Sequence, residues 1–154
     1  MSTLATSLRT EDARTTLWRR ARGALDWDVV LEAGVGSPAL DELLGETPGS
    51  FCVRVDAGGL ERAVVAGARR SLAAPVPWAL RLRVEQLPVD VLEGLAAEYA
   101  VLLLAPGASP AGDRFVRVHP DHLEDLLPSG RVHGQDCLLA GPLAVGPLVS
   151  APRG

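Results

Sequence analysis

The chain predicts a single α/β domain with a mostly parallel sheet of five to six strands and flanking helices. Strand-like apolar runs alternate with helix-like stretches from Asp28 to Ala140. Such alternation implies parallel strands joined by crossover helices. The composition agrees: 154 residues, 47% apolar and 22% charged, suit a globular chain with one core. The third observation is a near-repeat. Val53-Arg54-Val55-Asp56, Leu82-Arg83-Val84-Glu85 and Val116-Arg117-Val118-His119 each read as a strand end. Side chains alternate along a strand, so in each segment the Arg and the last residue share one face.

Residues 1–9 read as a flexible leader, 10–140 as the α/β domain and 141–154 as a Gly/Pro-rich tail of extended or irregular chain. Thr10 caps a predicted helix over 11–25, with acids early and Arg19, Arg20 and Arg22 late, as the helix dipole favours. Residues 28–33 are the first strand. Gly34-Val35-Gly36 follows, with Ser37 as N-cap and Pro38 opening a short helix over 39–44. A second strand spans 51–56, and Gly58-Gly59 turns into a helix over 60–73. The third strand runs 78–85, and a helix starts at Pro88 and ends at Tyr99. Residues 100–105 are a continuous apolar run, the mark of a central buried strand. A loop over 106–113 leads to a fifth strand, 115–119. A short helix over 120–127 precedes one more strand within 131–140. In such a sheet ligands sit beyond the strand carboxyl ends, where Glu32, Asp56, Glu85 and His119 are expected to gather.

Net charge is −4, which argues against a nucleic-acid partner held by overall field. All 15 basic residues are Arg, so Schiff-base and P-loop lysine chemistry are excluded. Two cysteines are too few for a disulfide framework. There is no signal-peptide pattern and no apolar stretch of membrane-spanning length, so a cytoplasmic protein without a membrane partner is expected.

Glycines after the first strand, a helix start, and an acid about 20 residues on suit a nucleotide-like ligand: the backbone approaches it and the acid takes ribose hydroxyls. Val-Leu-Glu-Ala-Gly-Val-Gly-Ser (30–37) resembles the first motif of class I S-adenosylmethionine-dependent methyltransferases. Val-Arg-Val-Asp-Ala-Gly-Gly-Leu (53–60) is similar to their second strand with its ribose-binding acid, and residues 82–88 stand where that family has a third strand end. The resemblance covers residues 28–105. It implies a Rossmann-like, methyltransferase-like domain with S-adenosylmethionine as cofactor, bordered by Glu32, Gly34 and Gly36 and held by Asp56. Pro38 stands where the family usually has a third glycine.

The Arg face is the second constellation. Arg54, Arg83 and Arg117 are candidate anion or substrate binders, with Arg81 beside them, and Glu85 and His119 are the candidate catalytic groups. A strand buried on both sides would be almost wholly apolar, so the Arg face must be open, interior to a barrel, or covered by a partner. The plainer reading is an Arg–carboxylate ladder between strands. The third constellation is His119, His122, His133 and Cys137, an alternative metal set whose spacing matches no strong zinc pattern; no zinc is expected. Cys52 alternates onto the Arg54 face and reads as a buried inert thiol.

Three functional readings follow. The first is a small-molecule site at the strand carboxyl ends, methyltransferase-like or a degenerate relative. The second is a non-catalytic module, homo-oligomeric or binding another protein through the Arg/acid face. The third is a lyase or isomerase acting on an anionic substrate with His119 as base.

Overall fold

The computed structural model describes residues 16–46, 49–56, 58, 61–107 and 112–150. The leader 1–9, the Thr10 cap, the start of the first helix and residues 108–111 and 151–154 lie outside the described residues. Six strands form one sheet: β1 (Val29–Gly34), β2 (Phe51–Asp56), β3 (Trp78–Arg83), β4 (Ala100–Ala105), β5 (Arg114–Arg117) and β6 (His133–Ala140). Their spatial order is β1-β2-β3-β6-β4-β5. Among the described residues, seven α-helices accompany them: α1 (residues 16–23), α2 (Leu40–Leu44), α3 (Glu61–Ala66), α4 (Arg69–Leu72), α5 (Val89–Glu98), α6 (Leu123–Leu126) and α7 (Pro142–Val149). Among the described residues, no helix is long and apolar enough to cross a membrane.

The sheet is not mostly parallel. β1–β2 and β2–β3 are parallel, but β3–β6, β6–β4 and β4–β5 are antiparallel. The reason is connection length. A parallel neighbour needs a crossover of about a dozen residues or more, usually a helix. Only residues 106–113 separate β4 from β5, so the chain doubles back. Last in sequence, β6 slots between β3 and β4. Two earlier expectations fail locally. Residues 84–86 leave the strand as a 3-10 turn (Val84–Gln86), so Glu85 is not a strand residue. The described part of the tail, residues 141–150, is not irregular: Pro142 opens α7, and Ala144 and Leu148 are buried against the second-face core. Pro is well tolerated at a first helical position. Tertiary burial of an i, i+4 pair overrides the low propensity of Gly146 and Pro147.

Two cores flank the sheet. One face of the strands carries Phe51, Val53, Val55, Leu80, Leu82, Val101, Leu103 and Leu139, packed with Leu40, Val65, Leu72, Leu92 and Leu123 of the helices α2 to α6. The opposite face carries Cys52, Ala79, Leu102, Leu104, Phe115 and Leu138 under Leu17 and Ala21 of α1 and Ala144 and Leu148 of α7. Arg54, Arg81 and Arg83 alternate onto this second face with Cys52 and Ala79. The core with the longer helical cover is therefore wholly apolar at β1–β3, and the charge is confined to the other side.

Two local devices fix the helical layer. The expected helix over 60–73 is broken at Gly67-Ala68, and the new helix start is capped from a distance by Asp41 of α2. Asp41 accepts bonds from the Ser71 hydroxyl (2.6 Å), the Ser71 amide (2.8 Å) and the Arg70 amide (3.1 Å). Burial alone would raise its pKa, but these donors, Ser71 foremost, outweigh it and hold the carboxyl below its ordinary value. The second device is Trp78. Its indole stacks on Phe51 (6.2 Å), meets Tyr99 edge-on (5.4 Å) and donates to the Leu72 carbonyl (3.1 Å). Gly141 lies against that ring: a Cβ there would stand 2.6 Å from Cε2.

Two outcomes follow. Gly141→Ala should lower stability in urea unfolding by about 1–3 kcal/mol, because the indole is held on three sides and cannot yield freely. Wild-type stability would show that it can. Asp41→Ala should cost about 1 kcal/mol at neutral pH. A lowered folded pKa means the unfolded chain binds more protons, so this stabilisation is present above the ordinary carboxylate range and fades as pH falls through the folded value. The wild type and Asp41→Ala should accordingly converge in stability under acid.

Candidate functional site

On the α1/α7 face the strand pairing builds charge in steps. Glu32 of β1 stands beside Arg54 of β2, Arg54 beside Arg81 of β3, and Arg83 beside Asp136 of β6. Only the Glu32–Arg54 contact follows that register; Arg81 reaches Asp136 on the diagonal, and Arg83 turns to Asp56 and Glu85. Arg54 Nη1 lies 3.6 Å from Glu32 Oε1, and Arg81 Nη1 lies 3.8 Å from Asp136 Oδ2. Arg83 bridges two acids, donating to Asp56 Oδ1 at 3.1 Å and to Glu85 Oε1 at 2.7 Å. Burial would lower the Arg83 pKa, and Asp56 with Glu85 outweighs that and raises it. Side-chain exposure falls across the sheet, from 74% at Glu32 and 39% at Arg54 to 24% at Arg83, 3% at Arg81 and 2% at Asp136. The face is open at the β1 edge and closed at the β3–β6 seam.

Arg81 is the strained member. Burial pulls its pKa below the ordinary value, with Asp136 opposing. Its Nε and Nη1 find no hydrogen-bond partner, and neither does the Nε of Arg83. A buried guanidinium that keeps its charge is costly unless its donors are satisfied.

The carboxyl edge holds the glycine turn. Gly36 has φ +82°, a conformation that favours glycine. Ser37 does not cap α2, as its sequence position suggests. Its hydroxyl instead accepts from the Gly34 amide (3.0 Å), and α2 starts at Leu40 behind the N-cap residue Ala39, which offers no side-chain cap. The cleft between this turn, α2 and α3 has a volume of about 160 Å³, lined by Gly34, Gly36, Ser37, Pro38, Leu40 and Val64 among others. Typical ligand pockets are about 300–1,000 Å³. Glu32, Gly34, Gly36 and Asp56 are thus brought to one edge. Asp56 and Glu32, however, lie on the Arg face, and Asp56 is held by Arg83.

The other candidate residues are not gathered there. β5 runs antiparallel to β4, so His119 falls at the amino edge of β1–β3, opposite Glu85 and Asp56. The expectation that all strand ends share one edge is corrected by that reversal. His119 caps the turn Pro120–His122, its Nδ1 accepting from the Asp121 amide at 3.2 Å. Arg117 shares the face of Arg81, but three strands away, about 14 Å at the usual strand spacing of ~4.8 Å. There it lines a groove of about 400 Å³ beside α7. The metal set is dispersed. The rings of His119 and His122 are neighbours (5.5 Å), His133 sits at the carboxyl edge 3.3 Å from Asp113, and Cys137 is buried on the α5 side opposite Leu82. Among the described residues, no group of three or more His, Cys, Asp or Glu side chains converges as for a metal.

Asp136 and Asp113 carry contacts that the sequence reading missed. An acid near the start of the otherwise apolar run 137–140 was the available signal for Asp136. Searches against family models, curated proteins and solved structures found no match to this chain.

Burial pushes the thiols of both Cys52 and Cys137 up to about 12, against the nearby Arg22 for Cys52 and reinforced by Asp136 for Cys137. The thiolate is the reactive form, so neither should react with a thiol reagent at neutral pH until the chain unfolds. Stoichiometric labelling of the native protein would contradict this. Arg81→Met should destabilise by about 3 kcal/mol or more, because it removes one partner of the buried Arg81–Asp136 ion pair. Chemical unfolding reads this directly, and a neutral effect would mean that the pair is not buried in solution.

Proposed function

We propose that the protein is a non-catalytic interaction module, and that the open half of its Arg/acid face docks a second copy of the same chain. The observation that supports this is the stepped ladder. Glu32 lies against Arg54 and Asp56 against Arg83, with exposure rising toward the edge strand β1. Such a face is self-complementary. Under a two-fold axis, acids of one copy meet arginines of the other, and each contact occurs twice. Val30 adds exposed apolar surface on the same face of the edge strand. The residues needed for chemistry are differently disposed: Asp56 and Glu85 are both engaged by Arg83, and His119 is at the opposite edge. The lyase or isomerase reading draws no support from that separation.

The test is sedimentation with charge swaps. The wild type should dimerise and loosen as salt rises, since exposed charge contacts are screened. Arg83→Glu should weaken the dimer by roughly tenfold or more. Mixing Arg83→Glu with the double variant Asp56→Arg/Glu85→Arg should restore a mixed dimer. A salt-indifferent monomer would count against the proposal.

A second reading keeps a nucleotide-like ligand such as S-adenosylmethionine, in a methyltransferase-like or degenerate relative. It is supported by two glycine turns in contact: a Cβ on Gly58 (φ +57°) would lie 3.5 Å from Val35 Cγ2, next to Gly36. It requires Asp56 to exchange Arg83 for a ribose. A rise in melting temperature with millimolar S-adenosylmethionine, lost in Asp56→Ala, would favour it; no shift would remove it.

A further inference from the structure

A groove lies on the far side of the sheet from the Arg ladder. It runs between α3–α4 and α5 and has a volume of about 410 Å³, within the range of small-molecule sites. Its apolar surface comes from Val65, Val91, Leu95 and Tyr99. One wall carries Arg62 and Arg69, and the other carries Asp90 and Glu98. Both helical segments run from the carboxyl edge of the sheet back to its amino edge. Each end of the groove therefore holds one Arg and one acid: Arg62 with Asp90, Arg69 with Glu98. No ion pair crosses between these walls among the described residues; within the α5 wall, the Tyr99 hydroxyl is hydrogen-bonded to Glu98. Gly94 leaves the middle of the α5 wall bare, and a Cβ there would meet nothing within 4 Å. A glycine in the interior of a ten-residue helix lowers its stability, and this one lies where a side chain would fill the groove.

We infer that this groove is a binding site for a small zwitterion with an apolar body, the chemistry that an apolar amino acid presents. The carboxylate takes the planar donors of Arg62 or Arg69. The ammonium takes the facing Asp90 or Glu98. The apolar body lies over Gly94 against Val91 and Leu95. A ligand of single charge satisfies one wall and leaves the other without a partner, which is the basis for discrimination.

Phenylalanine is the probe, titrated into the full chain and followed by amide NMR. Saturable shifts are expected at Val91, Gly94, Leu95 and Tyr99, with a dissociation constant on the order of millimolar. N-acetylphenylalanine lacks the ammonium and phenylalaninamide lacks the carboxylate; each should bind at least about fivefold more weakly. Gly94→Leu should abolish the shifts while leaving the melting temperature unchanged or raised. The proposal is overturned if phenylalanine gives no saturable shift at these amides up to about 50 mM. It is overturned equally if the two analogues match phenylalanine, which would mark the groove as merely apolar, or if Gly94→Leu binds as the wild type does.

Discussion

The seam between β3 and β6 is the constraint on which the rest of the structure depends. Here the parallel half of the sheet, β1–β3, meets the antiparallel half, β6–β4–β5. The last strand in sequence must enter between two strands already joined by α5, so the sheet is complete only when β6 is in place. Its pairing sets Leu80 beside Leu139 and Leu82 beside Cys137 on the long-helix side, and Arg81 beside Leu138 and Arg83 beside Asp136 on the other. A slip of one residue would exchange these two sets and place two arginines in the apolar core. Register at this seam therefore carries a high cost for error. The pair of Arg81 with Asp136 rests there, buried, with the Arg81 Nε and Nη1 lacking hydrogen-bond partners. Such pairs contribute little net stability, and their best-attested value is in fixing one arrangement against others.

From that seam the charge spreads outward. Each step toward β1 trades burial for exposure, so that the same ladder is buried at β3–β6 and open at β1–β2. This explains why arginines sit on strands of an otherwise apolar sheet. The inner ones belong to the register of the fold, and the outer ones are those that the proposed docking of a second copy would use. It also separates two surfaces. The ladder and its edge strand occupy one side of the sheet, and the groove with Gly94 occupies the other.

Much of the element order was legible because it rests on local signals. β2 and β4 match their predicted spans, and the Pro88 start of α5 follows from proline's fixed backbone angle. Direction and spatial order were not legible in the same way. The Arg–Val repeat at 54, 83 and 117 suggested one row of strand ends, yet strand direction is set by connections, and β5 reverses. His119 therefore left the expected site while Asp56 and Glu85 stayed. Ser37 and the tail show the complementary limit. Ser37 has the right chemistry for a cap but bonds back to Gly34, and Pro147 is a poor helix residue carried by burial of its neighbours Ala144 and Leu148. Asp41 capping α4 is a contact between residues about thirty positions apart, invisible to any local pattern.

Hydrogen exchange read at two protein concentrations addresses the docking face most directly. Amides of β1, of β2 and of the turn Val84–Gln86 should be more protected at high concentration than at low, while those of α7 and α5 exchange alike at both. Protection of β1 that is independent of concentration, or a concentration effect confined to the opposite side of the sheet, would contradict a second copy docking on the Arg/acid face.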